Sequence, residues 1–103
     1  MNIWRTLTNK FQVILTAHAI SDLHGVPKEY HDQLHQDLKI LPLNPFPKGS
    51  TIKRLKGFRL PVYRLRSNDY RVLYSIRGSK IIILRIIDGK TLEREIKRLK
   101  LAL

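Results

Sequence analysis

The chain has 103 residues, 43% of them hydrophobic, with 20 Lys and Arg against 8 Asp and Glu and a formal charge of +12. That length suits one compact domain over residues 1–103, the apolar share excludes wholesale disorder, and the absence of cysteine excludes disulfides, thiolate metal sites and thiol nucleophiles. Apolar runs such as Ile81 to Leu84 fall far short of the roughly 20 residues of a membrane span, and Met1-Asn2-Ile3-Trp4-Arg5 has no signal-peptide core, so a soluble cytoplasmic protein with no membrane partner is expected.

Phe11, Val13 and Leu15 recur at period two and predict a first strand over 11–16. Thr16 then caps a short helix from Ala17 to His24, with Ile20 and Leu23 inward and Gly25 at its end. Pro27 suits the first position of a second helix whose Tyr30, Leu34, Leu38 and Leu41 fall on one face. Pro42, Asn44, Pro45, Pro47 and Gly49 rule out helix and predict a surface loop. Beyond the loop the period becomes two. Val62 to Arg66 and Tyr70 to Arg77 read as strands around a turn at Ser67-Asn68-Asp69, and Gly78-Ser79 reads as a hairpin turn that sets Arg77 opposite Lys80. Counting back from that turn sets Tyr74 opposite Ile83, Leu73 opposite Leu84, Val72 opposite Arg85 and Arg71 opposite Ile86.

Alternation assigns Tyr63, Leu65, Tyr70, Val72, Tyr74, Ile76, Ile81 and Ile83 to a face covered by the two helices. The opposite face carries Arg64, Arg66 and Arg71 beside Leu73, Ile82, Leu84 and Ile86. Its apolar part needs cover, and a terminal helix capped by Thr91, with a stripe of Leu92, Ile96, Leu99 and Leu103 and with Glu93 and Glu95 near its positive end, supplies it. The result is an α+β fold: a small antiparallel sheet, two N-terminal helices on one face, and a C-terminal helix.

Charge is distributed unevenly. Residues 1–47 carry four basic and four acidic groups, so the whole excess lies beyond them, and from Lys48 to Arg85 there are 11 basic groups against Asp69 alone. Such a field favours a polyanion or an acidic protein. Three guanidiniums, Arg64, Arg66 and Arg71, converge on one sheet face at a cost in repulsion that an anion relieves. Lys53, Arg54, Lys56 and Arg85 extend the patch as candidates for binding a polynucleotide backbone, along with Lys48 and Arg59. His31-Asp32-Gln33-Leu34-His35 imitates a zinc-protease helix, but aspartate is shorter than the glutamate base and no third ligand follows. No metal or cofactor is expected, and no nucleophile-elbow serine or glycine-rich phosphate loop occurs.

The order Leu55-Lys56-Gly57, Tyr63-Arg64-Leu65-Arg66, Asp69-Tyr70-Arg71-Val72-Leu73-Tyr74, a turn, and Ile81-Ile82-Ile83-Leu84-Arg85 resembles the RelE/ParE superfamily of type II toxin-antitoxin toxins over roughly residues 11–99, with 1–10 as an addition. The resemblance implies a cognate acidic antitoxin in a heteromeric complex. RelE-like members act on the ribosome as mRNA endoribonucleases, in which a ribose 2′-hydroxyl attacks the adjacent phosphate and basic side chains answer the charge on phosphorus. By motif Arg64 stands where the family has a strand lysine, Arg71 at its Tyr-Arg element and Arg66 at a basic position. The chain departs from the pattern at Asp88-Gly89-Lys90-Thr91, where the family's arginine has no counterpart and Lys90 is the remaining cation, and in having no tyrosine after Tyr74. The expected catalytic set is Arg64, Arg71 and Lys90, with the ribosome and mRNA as partners. A ParE-like inhibitor of DNA gyrase and an inactive antitoxin-binding module stand as alternatives.

Overall fold

A computed structural model describes residues 11–103; the expected extension at 1–10 lies outside the described residues. The chain runs β1 (Gln12–Leu15), α1 (Ala17–His24), a 3-10 turn (Lys28–Tyr30), α2 (His31–Ile40), β2 (Ile52–Leu55), β3 (Val62–Ser67), β4 (Tyr70–Arg77), β5 (Lys80–Asp88), a second 3-10 turn (Gly89–Thr91) and α3 (Leu92–Ala102). The five strands form one sheet in the order β1-β5-β4-β3-β2. Three pairings are antiparallel, as expected, and β1 runs parallel to β5, so the sheet is mostly antiparallel with one parallel edge pair. The reason is topological: β1 precedes the hairpins and enters the sheet beside its last strand.

Local signals for the two helices hold except at Ile20, expected inward but 44% exposed, while Ala19 takes the buried position on α1. Thr16 Oγ1 accepts the Ala19 N–H at 3.1 Å, and the Gly25 N–H closes α1 on the Asp22 carbonyl at 3.0 Å. Pro27 starts a 3-10 turn instead of the helix itself, and α2 follows from His31. Leu34 and Leu41 are fully buried, with Tyr30 and Leu38 beside them, so the predicted stripe faces the core. The core joins Ala19, Val26, Leu34 and Leu41 to Ile52, Tyr63, Leu65, Val72, Tyr74, Ile81, Ile83 and Ile86, and Phe11, Val13, Leu15, Tyr70 and Ile76 pack around it. Tyr74 is wholly enclosed; its hydroxyl donates to the Pro45 carbonyl at 2.7 Å, which ties the proline loop to the sheet.

Two features depart from the strand pattern. The segment Ile52–Leu55, too short to show alternation, forms the edge strand β2, with Ile52 opposite Leu65 and Lys53 opposite Arg64. In the β4–β5 hairpin, Arg77 opposes Lys80 and Tyr74 opposes Ile83 as counted, but a bulge then leaves Leu84 without a partner and sets Leu73 opposite Arg85, Val72 opposite Ile86 and Arg71 opposite Ile87. The slip carries Ile86 into the core and puts Ile87 on the other face in its place, as a shift of one residue must.

The second face has its own apolar layer. Val62, Leu73 and Ile87 are buried apart from the main core, and Leu103 shares a cavity of about 250 Å³ with Leu60, Val62, Ile82 and Leu84, so the C-terminal segment lies over this face as its stripe predicts. Thr91 does not cap α3. Asp88 accepts the Lys90 N–H at 2.8 Å and caps the preceding 3-10 turn, and the Thr91 hydroxyl donates to the Asp88 carbonyl at 3.1 Å. Among the described residues no helix is long and apolar enough to cross a membrane.

Candidate functional site

The basic cluster is built by β-sheet register. Arg66 and Arg71 are direct cross-strand partners, and Arg64 lies two residues along β3 on the same face, opposite Leu73. Residues in direct opposition hold their Cβ atoms about 5 Å apart, and like charges there repel. Among the described residues none of the three arginines has a carboxylate partner; the ion pairs belong to Arg85, Arg94 and Arg98.

Each guanidinium is held differently. Arg71 Nη1 donates to the carbonyls of Asn68 at 2.8 Å and Tyr70 at 2.9 Å, which anchors one end of the fork to the β3–β4 turn. Its Nε and Nη2 have no partner among the described residues, and a guanidinium edge of that kind accepts a phosphate through two parallel hydrogen bonds. Burial first, then the charges of Arg66 and Arg64, draw the Arg71 pKa below its ordinary value, while Asp69 and Asp88 pull the other way. The side chain stays protonated and feels its neighbours. Arg64 Nη2 donates to the Ser50 carbonyl at 2.9 Å, while its Nε is buried with no partner. Arg66 is exposed.

The remaining sequence candidates divide. Lys53 faces Arg64 across β2–β3 and so extends the cluster. Arg54 opposes Tyr63, which turns it to the other face of the sheet, and Lys56 lies beyond the end of β2. Lys90 is exposed in the 3-10 turn after β5, next to Gly89. Gly89 is pressed against Arg71: a Cβ there would lie 3.4 Å from the guanidinium carbon and 3.2 Å from the Asp69 carbonyl oxygen. This close approach brings Lys90 to the arginine end of the sheet.

Arg85 is a correction. It was expected on a nucleic-acid surface, but its Nε and Nη2 donate to the two carboxylate oxygens of Asp22 at 2.8 and 3.1 Å and its Nη1 to Glu95 Oε2 at 2.7 Å. Asp22 also accepts the Ile86 N–H at 2.9 Å, a donor that β1 is too short to pair. The hydrogen bonds that Arg85 donates to Asp22 chiefly raise the Arg85 pKa, and the one it donates to Glu95 chiefly lowers that of Glu95. The arginine is therefore a clip between α1, the bulged strand and α3. Its role was hidden because Asp22 and Glu95 lie 63 and 10 residues away, with no local spacing to connect them.

Two neighbours of the cluster were also unassigned from sequence. The Tyr30 hydroxyl donates to Asp69 Oδ2 at 2.9 Å, and the Tyr30 ring meets that of Tyr70 edge-on at 5.2 Å. Of the histidine pair, His31 places its Nε2 2.7 Å from the Val26 carbonyl, to which it donates, and so fastens the start of α2. No group of three or more potential metal ligands is present among the described residues.

Comparison with known proteins gives a consistent family. Residues 13–93 match the family described as "ParE toxin of type II toxin-antitoxin system, parDE". The protein named "Putative toxin RelE1" of Methanocaldococcus jannaschii is 36% identical over 83 residues, 79% of this chain and 91% of its own length. Among solved structures, the archaeal RelE-RelB complex of Pyrococcus horikoshii aligns with a TM-score of 0.65 at 26% identity, covering 77% of this chain and 94% of the matched one. A mutant of Escherichia coli toxin RelE in the free state has the same fold, with a TM-score of 0.67 at 16% identity over 91% of this chain and 99% of its own. The chain belongs to the RelE/ParE superfamily of type II toxin-antitoxin toxins.

Proposed function

We propose that this toxin inhibits translation as a RelE-like, ribosome-dependent mRNA endoribonuclease in the cytoplasm. The observation that carries the reading is the direct opposition of Arg66 and Arg71 beside Arg64, with no carboxylate on any of them among the described residues. A fold that tolerates this repulsion gains when a phosphate backbone enters. In the reaction a ribose 2′-hydroxyl attacks the adjacent phosphorus and the 5′-oxygen leaves. The open Nε–Nη2 edge of Arg71 holds the phosphate and answers the charge that develops on it. Arg64, fixed to the Ser50 carbonyl, acts beside it. Lys90 supplies the cation on the far side of Gly89, and Arg66 and Lys53 bind the flanking backbone.

An acidic antitoxin is the other partner under this reading, as the solved RelB-RelE structure from Methanococcus jannaschii is an antitoxin-toxin complex. Carboxylates brought to Arg64, Arg66 and Arg71 block the site by charge and occupancy together. Gyrase inhibition is the second reading, supported by the ParE description of the matching family and by the lack of a tyrosine after Tyr74. Primer extension on translated mRNA in a purified ribosome system, run beside a gyrase supercoiling assay, separates the two. New 5′ ends that disappear in Arg71→Ala support the nuclease. Intact mRNA with inhibited supercoiling overturns it in favour of gyrase, and intact mRNA with normal supercoiling leaves an antitoxin-binding module.

A further inference from the structure

The Arg71 fork is oriented by two carbonyls, those of Asn68 and Tyr70, and the residue between them is Asp69. Asp69 is held through both its side chain and its backbone. Its carboxylate accepts the Tyr30 hydroxyl at 2.9 Å, and its carbonyl accepts the Gly89 N–H at 2.7 Å. Asn68 in this turn sits at φ 51°, in the left-handed region that asparagine tolerates better than most side-chain-bearing residues. Tyr30 also braces the strand end through its ring, edge-on to Tyr70. We infer that Tyr30 is a positioning residue for Arg71, acting through Asp69 to fix the turn whose carbonyls aim the guanidinium.

The chemistry supports a directed bond and not merely two surfaces in contact. The hydroxyl is a charge-assisted donor to a carboxylate, and the Asp69 hydrogen bond is the chief cause that raises the Tyr30 pKa. The phenol therefore stays protonated and donating throughout the physiological range. Phenylalanine at position 30 retains the ring against Tyr70 and deletes this bond alone. Asparagine at position 69 retains an acceptor oxygen for Tyr30 and loses the charge.

The inference rests on the nuclease reading only for its catalytic part, and its test has a part that does not. The full chain, labelled with nitrogen-15 arginine, is examined by NMR for solvent exchange of the guanidinium Nη–H groups, which include the Nη1 held by the Asn68 and Tyr70 carbonyls. In the wild type, Arg71 exchanges more slowly than exposed Arg66. In Tyr30→Phe its exchange rises several-fold toward that of Arg66, Asp69→Asn restores most of the wild-type rate relative to Asp69→Ala, and ion-paired Arg85 is unchanged in all of them. In single-turnover cleavage on programmed ribosomes, Tyr30→Phe lowers the rate constant about tenfold, in keeping with a modest loss of orientation. Half-saturation is little altered. Arg71 exchange that is the same in Tyr30→Phe as in wild type, whether or not the melting temperature falls, overturns the inference and leaves Tyr30 as a helix-to-sheet contact. A wild type that cleaves no mRNA overturns the nuclease reading, while the exchange measurement still decides the role of Tyr30.

Discussion

Replacing Arg85 by alanine removes three hydrogen bonds at once, two to Asp22 and one to Glu95, and leaves two carboxylates whose side chains are 14% and 7% exposed. Breaking a buried pair from one side costs about 3–5 kcal/mol, since the remaining charge is desolvated and uncompensated. Three contacts survive here: Arg98 and Arg94 still reach Glu95 at 3.1 and 3.5 Å, and Asp22 still accepts the Ile86 N–H. The expected loss is accordingly near the lower end, about 3 kcal/mol, against a total of roughly 5–15 kcal/mol for a domain. With a urea slope of about 1.5 kcal/mol/M, the denaturation midpoint falls by about 2 M. Circular dichroism in urea measures it, with Arg77→Ala, an exposed hairpin arginine, as a control expected to stay within about 0.5 kcal/mol of wild type. An Arg85→Ala midpoint close to wild type, combined with weakened RNA binding, refutes the clip and returns Arg85 to the nucleic-acid surface.

Acid should weaken the same clip. The folded-state pKa of Glu95 lies below its ordinary value of 4.5, so its stabilisation is present above that pH and is lost as the pH falls through the folded value; urea midpoints measured downward from pH 5 show the loss, which shrinks in Arg85→Ala. Tyr74→Phe strands the buried Pro45 carbonyl and costs about 1–3 kcal/mol by the same denaturation assay, with little change in volume. Arg71→Ala abolishes growth inhibition in an expression assay with the thermal melt and antitoxin binding retained, and Arg64→Ala acts in the same direction more weakly. Ribosome or RNA binding, followed by sedimentation or anisotropy, falls steeply between 50 and about 200 mM salt, because several phosphate contacts release counterions; affinity independent of salt points to a protein target recognised by shape.

Much of the site was legible because a strand has period two. Val62 to Arg66 and Tyr70 to Arg77 alternate cleanly, so the residues under the helices and the shared face of Arg64, Arg66 and Arg71 follow from counting, and the hairpin at Gly78-Ser79 carries that count into β5. The Thr16 cap and the Leu34–Leu41 stripe were equally local, since each rests on contacts within a turn or two of helix. The sequence by itself thus determined the two sheet faces, the helical pair and the concentration of positive charge on one of them.

Tertiary structure decided what depends on residues far apart in the chain. Whether β1 runs parallel to β5 is a matter of where the chain returns, and nothing within Gln12–Leu15 encodes it. The bulge at Leu84 falls in a run that is apolar on both faces, where period two has no contrast and a slip of one residue leaves no trace in the pattern. That slip moves Ile86 into the core, and at the bulge Arg85 meets carboxylates from α1 and α3, so a residue that belongs by composition to a basic surface becomes an internal clip. The fixing of Arg71 is equally non-local: its orienting carbonyls are neighbours in sequence, but Tyr30 and Gly89, which bond to Asp69 between them, come from separate elements that reach the turn only on folding. Local periodicity determines which face a side chain joins; which partner it finds there is set by long-range packing, because the free energy of each contact depends on elements the chain brings together only on folding.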